Sequence, residues 1–225
     1  MQSRARRDVA VSPAWHPEKH RVNSPFAPRS PEDVATLVRT CPLAWLVSVD
    51  PAGEVLSSQL PLLVLPPEDG EMLLLGHMAR TNPLVARLGE RPRAAILFQG
   101  PNAYVSPSWY ADRDSAPTWI YVNATLTADI TLRADLTDRA INLLVHQMEQ
   151  GRPERWRVTE IAHRYAALRD RVIGFTATIL KVDARFKLAQ DEAPPVVRET
   201  LDHLEDDALV RWVAAMNAER LEAEA

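Results

Sequence analysis

Glycine is scarce in this 225-residue chain, and its scarcity excludes the nucleotide-binding sites that are built from glycine-rich loops. Only 7 of the 225 residues are glycine, which is about 3%, whereas an average protein has about 7%. They are too dispersed to form G-x-G-x-x-G or G-x-x-x-x-G-K, the patterns in which clustered glycines let the backbone wrap a phosphate. The sequence is therefore not that of a P-loop nucleotide hydrolase or a Rossmann dehydrogenase.

Cysteine, net positive charge and long apolar runs are also lacking. The single Cys41 cannot form an intrachain disulfide, which favours a reducing, cytoplasmic location. No apolar run approaches the ~18 residues of a membrane span, and no apolar segment follows the basic N-terminus as in a secretory signal. We therefore expect no membrane partner. The formal charge of −4 excludes a uniformly basic nucleic-acid-binding domain.

Catalytic motifs are missing as well. The histidines have no metal-ligand spacing outside the His16/His20 pair, so a metal site built by the protein is not expected. There is no G-x-S-x-G nucleophile elbow. The sequence therefore identifies no catalytic residue and leaves open whether the protein is an enzyme.

Residues 1–30 differ in composition from the rest of the chain. They contain six basic residues, two acidic residues and four prolines, without apolar periodicity. We interpret them as a flexible, basic, proline-rich leader. The alternative is an arm that contacts DNA or a protein partner. Residues 31–225 are expected to form a single domain around one core.

Apolar periodicity in residues 31–225 predicts an α+β protein with mainly antiparallel strands. The strongest signal is Trp119–Leu132, in which apolar residues alternate without a break from Ile120. Further strands are predicted at 43–49, 55–65, 72–76, 93–98 and 173–179, those at 72–76 and 93–98 being buried on both faces. Helices are predicted from Pro31, in an insertion at about 135–170, and at about 195–222. This pattern is typical of a closed or nearly closed β-barrel.

Four polar and aromatic clusters interrupt the apolar pattern, and all but the third are predicted to lie in loops or just beyond a strand. In the first, Gly76–Pro83, Arg80 offers a planar donor fork for phosphate or carboxylate, and Asn82 can cap the helix that follows. A simple capped turn explains the same residues equally well. The second, Phe98–Tyr110, is a rigid loop rich in aromatic and hydroxyl groups. It suits a flat ring or a subunit interface.

The third cluster, Pro117–Tyr121, belongs to the longest strand. Trp119 and Tyr121 share the face opposite its apolar row, so this face needs cover from a ligand or another subunit. In the fourth cluster, Phe186–Gln190, Lys187 is one of only three lysines in the chain. It is either a contact to a ligand or a solvated surface charge.

Together, Gly76–Pro83, Phe98–Tyr110, Pro117–Trp119 and Lys187–Gln190 resemble the PaiB family, whose members are described as FMN-binding negative transcriptional regulators. The resemblance covers about residues 31–220. It implies a split β-barrel of the FMN-binding type with a helical insertion and C-terminal helices, acting as a homodimer with FMN between the subunits. Ile120 and Ala189 depart from the family, which usually has asparagine and serine there.

The resemblance also implies roles for individual residues. It places Gln59 along the flavin edge, with His77, Arg80 and Asn82 near the phosphate or the ring edge. Lys187 is implied as a polar contact. The wall of the site would be formed by Tyr104, Ser106, Trp109, Trp119 and Tyr121.

Two alternatives to a regulator use the same scaffold. One is an enzyme, either a flavin oxidoreductase or a heme b-dependent enzyme similar to the piperazate synthases, which form an N–N bond. His77 would then be the axial ligand of the heme. The other is a dimeric structural module that has lost its cofactor.

Overall fold

The computed structural model describes residues 24–65 and 72–223, in which six strands close into an antiparallel barrel. The strands are β1 (Leu43–Val49), β2 (Val55–Leu65), β3 (Leu73–Ala79), β4 (Arg93–Val105), β5 (Thr118–Leu132) and β6 (Val172–Lys187). Their order around the barrel is β1-β2-β3-β6-β5-β4, and β4 pairs with β1 to close it. The predicted mainly antiparallel α+β barrel is confirmed.

Helices cover the ends and one side of the barrel. They are α1 (Pro31–Thr40), α2 (Pro83–Glu90), α3 (Thr137–Met148), α4 (Ala162–Arg169), α5 (Pro194–His203) and α6 (Asp207–Glu222). α1 begins at Pro31 because the Asp33 carboxylate accepts the Ser30 N–H at 2.8 Å, as in a capping box. None of the described helices is both long enough and apolar enough to cross a membrane.

The inner faces of the strands form one apolar core. β5 shows the pattern most clearly, because its inward residues from Ile120 to Ile130 are buried and its outward residues are not. Phe98, Phe175 and Phe186 are the largest fully buried side chains. Because its side chains alternate strictly, the outward face of β5 takes no part in the core and is available for binding.

Three strands are longer than the sequence predicts, and the extra length moves polar clusters from loops onto strands. β3 continues through His77, β4 continues to Val105 and β6 continues to Lys187. β4 is also buried on one face only, since Leu97 faces outward and is 39% exposed. Pairing of β4 and β6 with the long β5 extends both strands, and local sequence pattern does not report such pairing.

The packed chain begins earlier than the predicted end of the leader at residue 30. The Phe26 carbonyl accepts the Phe186 N–H at 2.8 Å. The Arg29 guanidinium donates to the carbonyls of Ala215 at 3.0 Å and Met216 at 2.6 Å. Residues 24–29 therefore lie against β6 and α6. The rest of the predicted leader, residues 1–23, lies outside the described residues, and its flexibility stays a prediction.

Candidate functional site

The outer surface of β1, β4 and β5, with the adjoining part of β2, is unusually apolar. Of the ten large hydrophobic side chains that are exposed in the described part of the chain, seven lie on this surface. They are Leu43, Trp45, Val49, Val55, Leu97, Tyr104 and Trp119. An apolar patch of this kind marks a place where a ligand or a protein binds. We call it the outer apolar face.

Strand register places a straight row of side chains across the outer apolar face. Gln59 of β2 lies opposite Trp45 of β1, and Trp45 lies opposite Leu97 of β4. Leu97 in turn lies opposite Thr125 of β5. Because opposite residues in antiparallel strands have Cβ atoms about 5 Å apart, the predicted site residue Gln59 is a neighbour of the Trp45 indole.

A pocket of about 500 Å³ opens on this face. The side chains that line it from the outer rows of three strands are those of Trp45, Leu97, Gln99, Asn102, Trp119, Tyr121, Asn123 and Thr125. None of the lining residues is charged. Tyr104 extends the aromatic wall, with its ring edge-on to Trp119 at a centroid distance of 5.9 Å. The pocket therefore offers aromatic surfaces and neutral hydrogen-bonding groups.

A β-bulge in β4 brings two side-chain amides into this pocket. Gln99 lies opposite Asn123 and Asn102 opposite Tyr121, so β4 advances three residues where β5 advances two. The extra residue lets both Gln99 and Asn102 face outward. A Cβ on Gly100 would lie 3.1 Å from the Val122 Cβ atom and 3.2 Å from the Val122 carbonyl oxygen, besides 2.8 Å from the Leu37 Cδ1 atom, and this close approach explains the glycine in the bulge.

The amides of the pocket are free to bind a ligand. No described residue makes a hydrogen bond with the side chains of Gln99, Asn102 or Asn123. Each amide presents both donors and an acceptor. A planar ligand with alternating donors and acceptors at its edge would match them.

Two further residues predicted for the site have mainly structural contacts. The Ser106 hydroxyl accepts the N–H of Ser108 at 3.2 Å and thereby caps the short turn Pro107–Trp109. The Trp109 indole stacks on the His203 ring of α5, with centroids 5.5 Å apart and planes 7° from parallel. In the structure Trp109 joins the turn after β4 to α5, Ser106 caps that turn, and neither residue lines the pocket.

The residues predicted from the first cluster do not line the pocket. His77 is on β3, and β3 is three strands from β4 in either direction around the ring. The Arg80 Nε atom donates to the Asp170 carbonyl at 3.0 Å. The Asn82 side chain accepts the Leu84 N–H and donates to the Ser58 hydroxyl at 2.9 Å. Within one chain, these three residues are not brought together with the pocket.

His77 is half-buried on the face of β3 opposite to the core residue Met78. Burial lowers the pKa of its imidazole, because the charged form is poorly solvated there. The ring is therefore neutral at physiological pH and can donate a lone pair. In residues 24–65 and 72–223, no group of three or more His, Cys, Asp and Glu side chains could hold a metal ion.

Of the residues that line the pocket, only Trp119 and Tyr121 at the start of β5 were predicted from the sequence. Asn123 and Thr125 continue the outward row of Trp119 and Tyr121, so alternation alone could have found them. Gln99 and Asn102 depend on a bulge, and Trp45 depends on how the barrel closes. For these three residues the local sequence holds no comparable signal.

Residues 20–181 match the family model described as "Putative FMN-binding domain". The chain belongs to this family. A relative from Bacillus subtilis (strain 168), "Protease synthase and sporulation protein PAI 2", is 24% identical to it over 188 residues, which are 81% of this chain and 87% of the relative. The family match and this relative together confirm the resemblance to the PaiB family.

Two solved structures resemble this chain in fold. The flavocytochrome Anf3 from Azotobacter vinelandii has a TM-score of 0.52 and 14% identity, covering 72% of this chain and 69% of its own. The FAD and heme binding protein from Mycobacterium smegmatis has a TM-score of 0.51 and 18% identity, covering 71% and 72%. These likenesses concern the fold and support a split β-barrel.

FMN is the cofactor of the family, as the sequence predicts, and the chemistry of the pocket suits its ring. The isoalloxazine ring is flat and has hydrogen-bonding groups along one edge. Trp119 and Tyr121 offer aromatic surface, and Gln99, Asn102 and Asn123 offer amides. Lys187 lies opposite Tyr121 in register, and its Nζ donates to the Thr118 hydroxyl. The residues present therefore fit a flavin.

Proposed function

We propose that this chain is an FMN-binding protein whose flavin ring binds in the pocket on the outer apolar face. The observation that carries the proposal is an uncharged pocket of about 500 Å³ lined by indole, phenol and amide groups. In this proposal Trp119 and Tyr121 contact the ring, and the three free amides bind its polar edge. A bound flavin supplies one- and two-electron redox chemistry, and the chain orients it and limits its contact with water.

We propose further that two copies pair through the outer apolar face. Trp45, Leu97 and Trp119 are between 39% and 54% exposed in the single chain. Covering aromatic and aliphatic groups contributes about 25 cal/mol per Å² of apolar surface removed from water, which offsets the entropy lost when two chains associate. Because the pocket lies within this face, a second copy would also close it over the flavin.

FMN binding is tested by the visible absorption spectrum of the purified protein. We expect the two bands of oxidised flavin, and about tenfold weaker FMN binding in Trp119→Ala, because loss of a stacking indole costs about 1–3 kcal/mol. Trp156→Ala is the matched control, since that indole is 38% exposed on the helical insertion. A colourless protein that takes up no added FMN would refute the proposal.

Heme b is the second candidate cofactor, and His77 is the observation that favours it. Its imidazole is half-buried, and its lowered pKa keeps it neutral, as iron ligation requires. The fold neighbours include a flavocytochrome and a FAD and heme binding protein. A Soret band that disappears in His77→Ala would favour heme over FMN as the cofactor. It would also favour an enzyme over a regulator on this scaffold.

We propose a regulatory role in the cytoplasm, as the PaiB resemblance implies, with DNA or a protein partner contacted by residues 1–23. These residues carry five basic and two acidic side chains. We expect full-length protein to bind DNA more weakly as salt rises, because phosphate contacts release counterions, and deletion of residues 1–23 to abolish binding. Electrophoretic mobility shifts at several salt concentrations measure this. Equal binding by the truncated protein would exclude the leader as the contact.

A further inference from the structure

The pocket contains no charged residue, and a phosphate on its ligand must therefore be bound at the rim. β1 and β2 have no charged side chain along their lengths. β4 and β5 have only Arg93 and Asp129, which pair with each other at 2.6 Å near the far end of the face. Among the strands that border the pocket, β6, which pairs with β5, is the one that brings cations next to it.

Arg185 of β6 is placed at that rim by strand register. It lies opposite Asn123, which lines the pocket, and its side chain is exposed. No carboxylate of the described residues lies within ion-pair distance of its guanidinium. All of its N–H donors are therefore available to an anion, and a guanidinium suits phosphate because it can donate two parallel hydrogen bonds.

Phe26 holds this guanidinium in place. The Arg185 Cζ atom lies 4.6 Å from the centroid of the Phe26 ring, within the range of a cation–π contact. Stacking on a ring restricts the long side chain while leaving the N–H groups at its edge free. The ring is itself anchored, because the Phe26 carbonyl accepts the N–H of Phe186.

Neighbouring charges favour an anion on one side of Arg185. Two residues further along the same face, Lys187 lies opposite Tyr121 at the aromatic end of the pocket. Two residues in the other direction, Asp183 lies opposite Thr125. Such neighbours are about 7 Å apart, so a phosphate at Arg185 is closer to a cation on the Lys187 side than on the Asp183 side. Because Lys187 also lines a small cavity with Asp191 and Glu192, Arg185 is the main attraction for the phosphate.

We propose that Arg185, held by Phe26, forms a phosphate-binding subsite at the pocket rim that selects flavin mononucleotide over riboflavin. This inference rests on the proposed function, because it requires the flavin ring in the pocket. It assigns the phosphate to a different arginine from Arg80, which donates to the Asp170 carbonyl in the turn between α4 and β6. Phe26 is a positioning residue for Arg185.

The test compares the affinities of FMN and riboflavin by titration of flavin fluorescence. Wild-type protein should bind FMN at least tenfold more tightly than riboflavin. Arg185→Gln should weaken FMN binding by about tenfold to a hundredfold, the usual effect of losing hydrogen bonds to a charged group, and change riboflavin binding less than threefold. Lys181→Gln is the matched control, because Lys181 lies on the same strand opposite Thr127, away from the pocket.

Phe26 variants test positioning separately from folding. Phe26→Leu keeps the backbone hydrogen bond to Phe186 and removes the ring, so FMN binding should weaken severalfold while riboflavin binding is retained. Phe26→Tyr should behave as wild type. A merely structural role for Phe26 would instead weaken both ligands equally and would overturn its assignment.

The outcomes separate this inference from the proposed function. Equal affinity of wild-type protein for FMN and riboflavin would overturn the phosphate subsite and leave flavin binding intact. Loss of the preference for FMN in Arg80→Gln but not in Arg185→Gln would also overturn it. Failure of wild-type protein to bind either flavin would refute the proposed function itself.

Discussion

Leu97→Asp is expected to convert the proposed dimer to a monomer and to weaken FMN binding in parallel. Leu97 lies in the middle of the row that crosses the outer apolar face, between Trp45 and Thr125. In a dimer formed by this face, the new carboxylate would be buried without a partner. Such a group costs several kcal/mol, so the dimer dissociation constant should rise at least about a hundredfold.

The isolated chain should tolerate this substitution. Leu97 is 39% exposed, so aspartate remains solvated in the monomer and costs at most about 1 kcal/mol through its weak strand propensity. FMN binding should fall because the pocket loses both the Leu97 contact and the cover of the second copy. Loss of the dimer together with weaker FMN binding, in a variant that keeps its fold, would identify Leu97 as an interface residue rather than a core residue.

Sedimentation velocity over a range of concentrations measures the dimer, and circular dichroism verifies the fold. Leu143→Asp is the matched control, because Leu143 of α3 is 38% exposed and lies outside the outer apolar face. It should leave both the dimer and FMN binding unchanged. A Leu97→Asp protein that sediments as wild type would exclude this face as the interface.

Gly174→Ala should lower the free energy of unfolding by about 3 kcal/mol. A Cβ at Gly174 would lie 2.8 Å from the Arg133 carbonyl oxygen, 2.9 Å from the Thr137 nitrogen and 3.0 Å from the Leu136 carbonyl carbon. All three atoms belong to the backbone, so rotation of a side chain cannot relieve the overlap. The start of the helical insertion would have to move away from β6.

Hydrogen bonds make that movement costly. The Gly174 N–H donates to the Thr137 hydroxyl at 2.9 Å, and its carbonyl accepts the Arg133 N–H at 2.7 Å. Displacing the insertion would strain or break both, and each is worth about 1 kcal/mol. Loss of both bonds would account for about 2 of the expected 3 kcal/mol, and poorer packing of the insertion on β6 would account for the rest.

Thermal unfolding at a fixed protein concentration measures this effect. A loss of about 3 kcal/mol corresponds to a midpoint about 6–12 °C lower for a chain of this size. Gly89→Ala makes the same chemical change in α2, where no atom lies within 4 Å of the added Cβ. It should raise stability by about 0.5–1 kcal/mol, because glycine is unfavourable in a helix. An unchanged midpoint in Gly174→Ala would show that the insertion is loosely packed.

Much of the barrel could be predicted from the sequence, because strand alternation is a local property. The uninterrupted period of two from Ile120 onward identified β5 and the side it buries. The same row showed that Trp119 and Tyr121 needed cover, and both line the pocket. Ser30 and Pro31 likewise marked the start of α1, since helix caps depend on residues a few positions apart.

The composition of the pocket was less accessible because it depends on pairing between distant segments. Gln99 and Asn102 share a face only because β4 carries a bulge against β5. Trp45 reaches the pocket because β1 pairs with β4, about fifty residues further along the chain. Neither fact changes the local pattern of apolar and polar residues.

The family, the antiparallel barrel and the outward aromatic face of β5 could all be predicted from the sequence. This was possible because motifs and strand alternation depend on residues that are close together in the chain. Only the tertiary structure decided which clusters meet. Closure of the barrel puts β3 opposite β4 and so separates His77 and Arg80 from the pocket. The scarcity of glycine excludes a glycine-rich phosphate loop. The fold instead brings Arg185 and Phe26, which are 159 residues apart in the chain, into contact beside the pocket. Contacts between such distant residues arise from the packing of the whole chain.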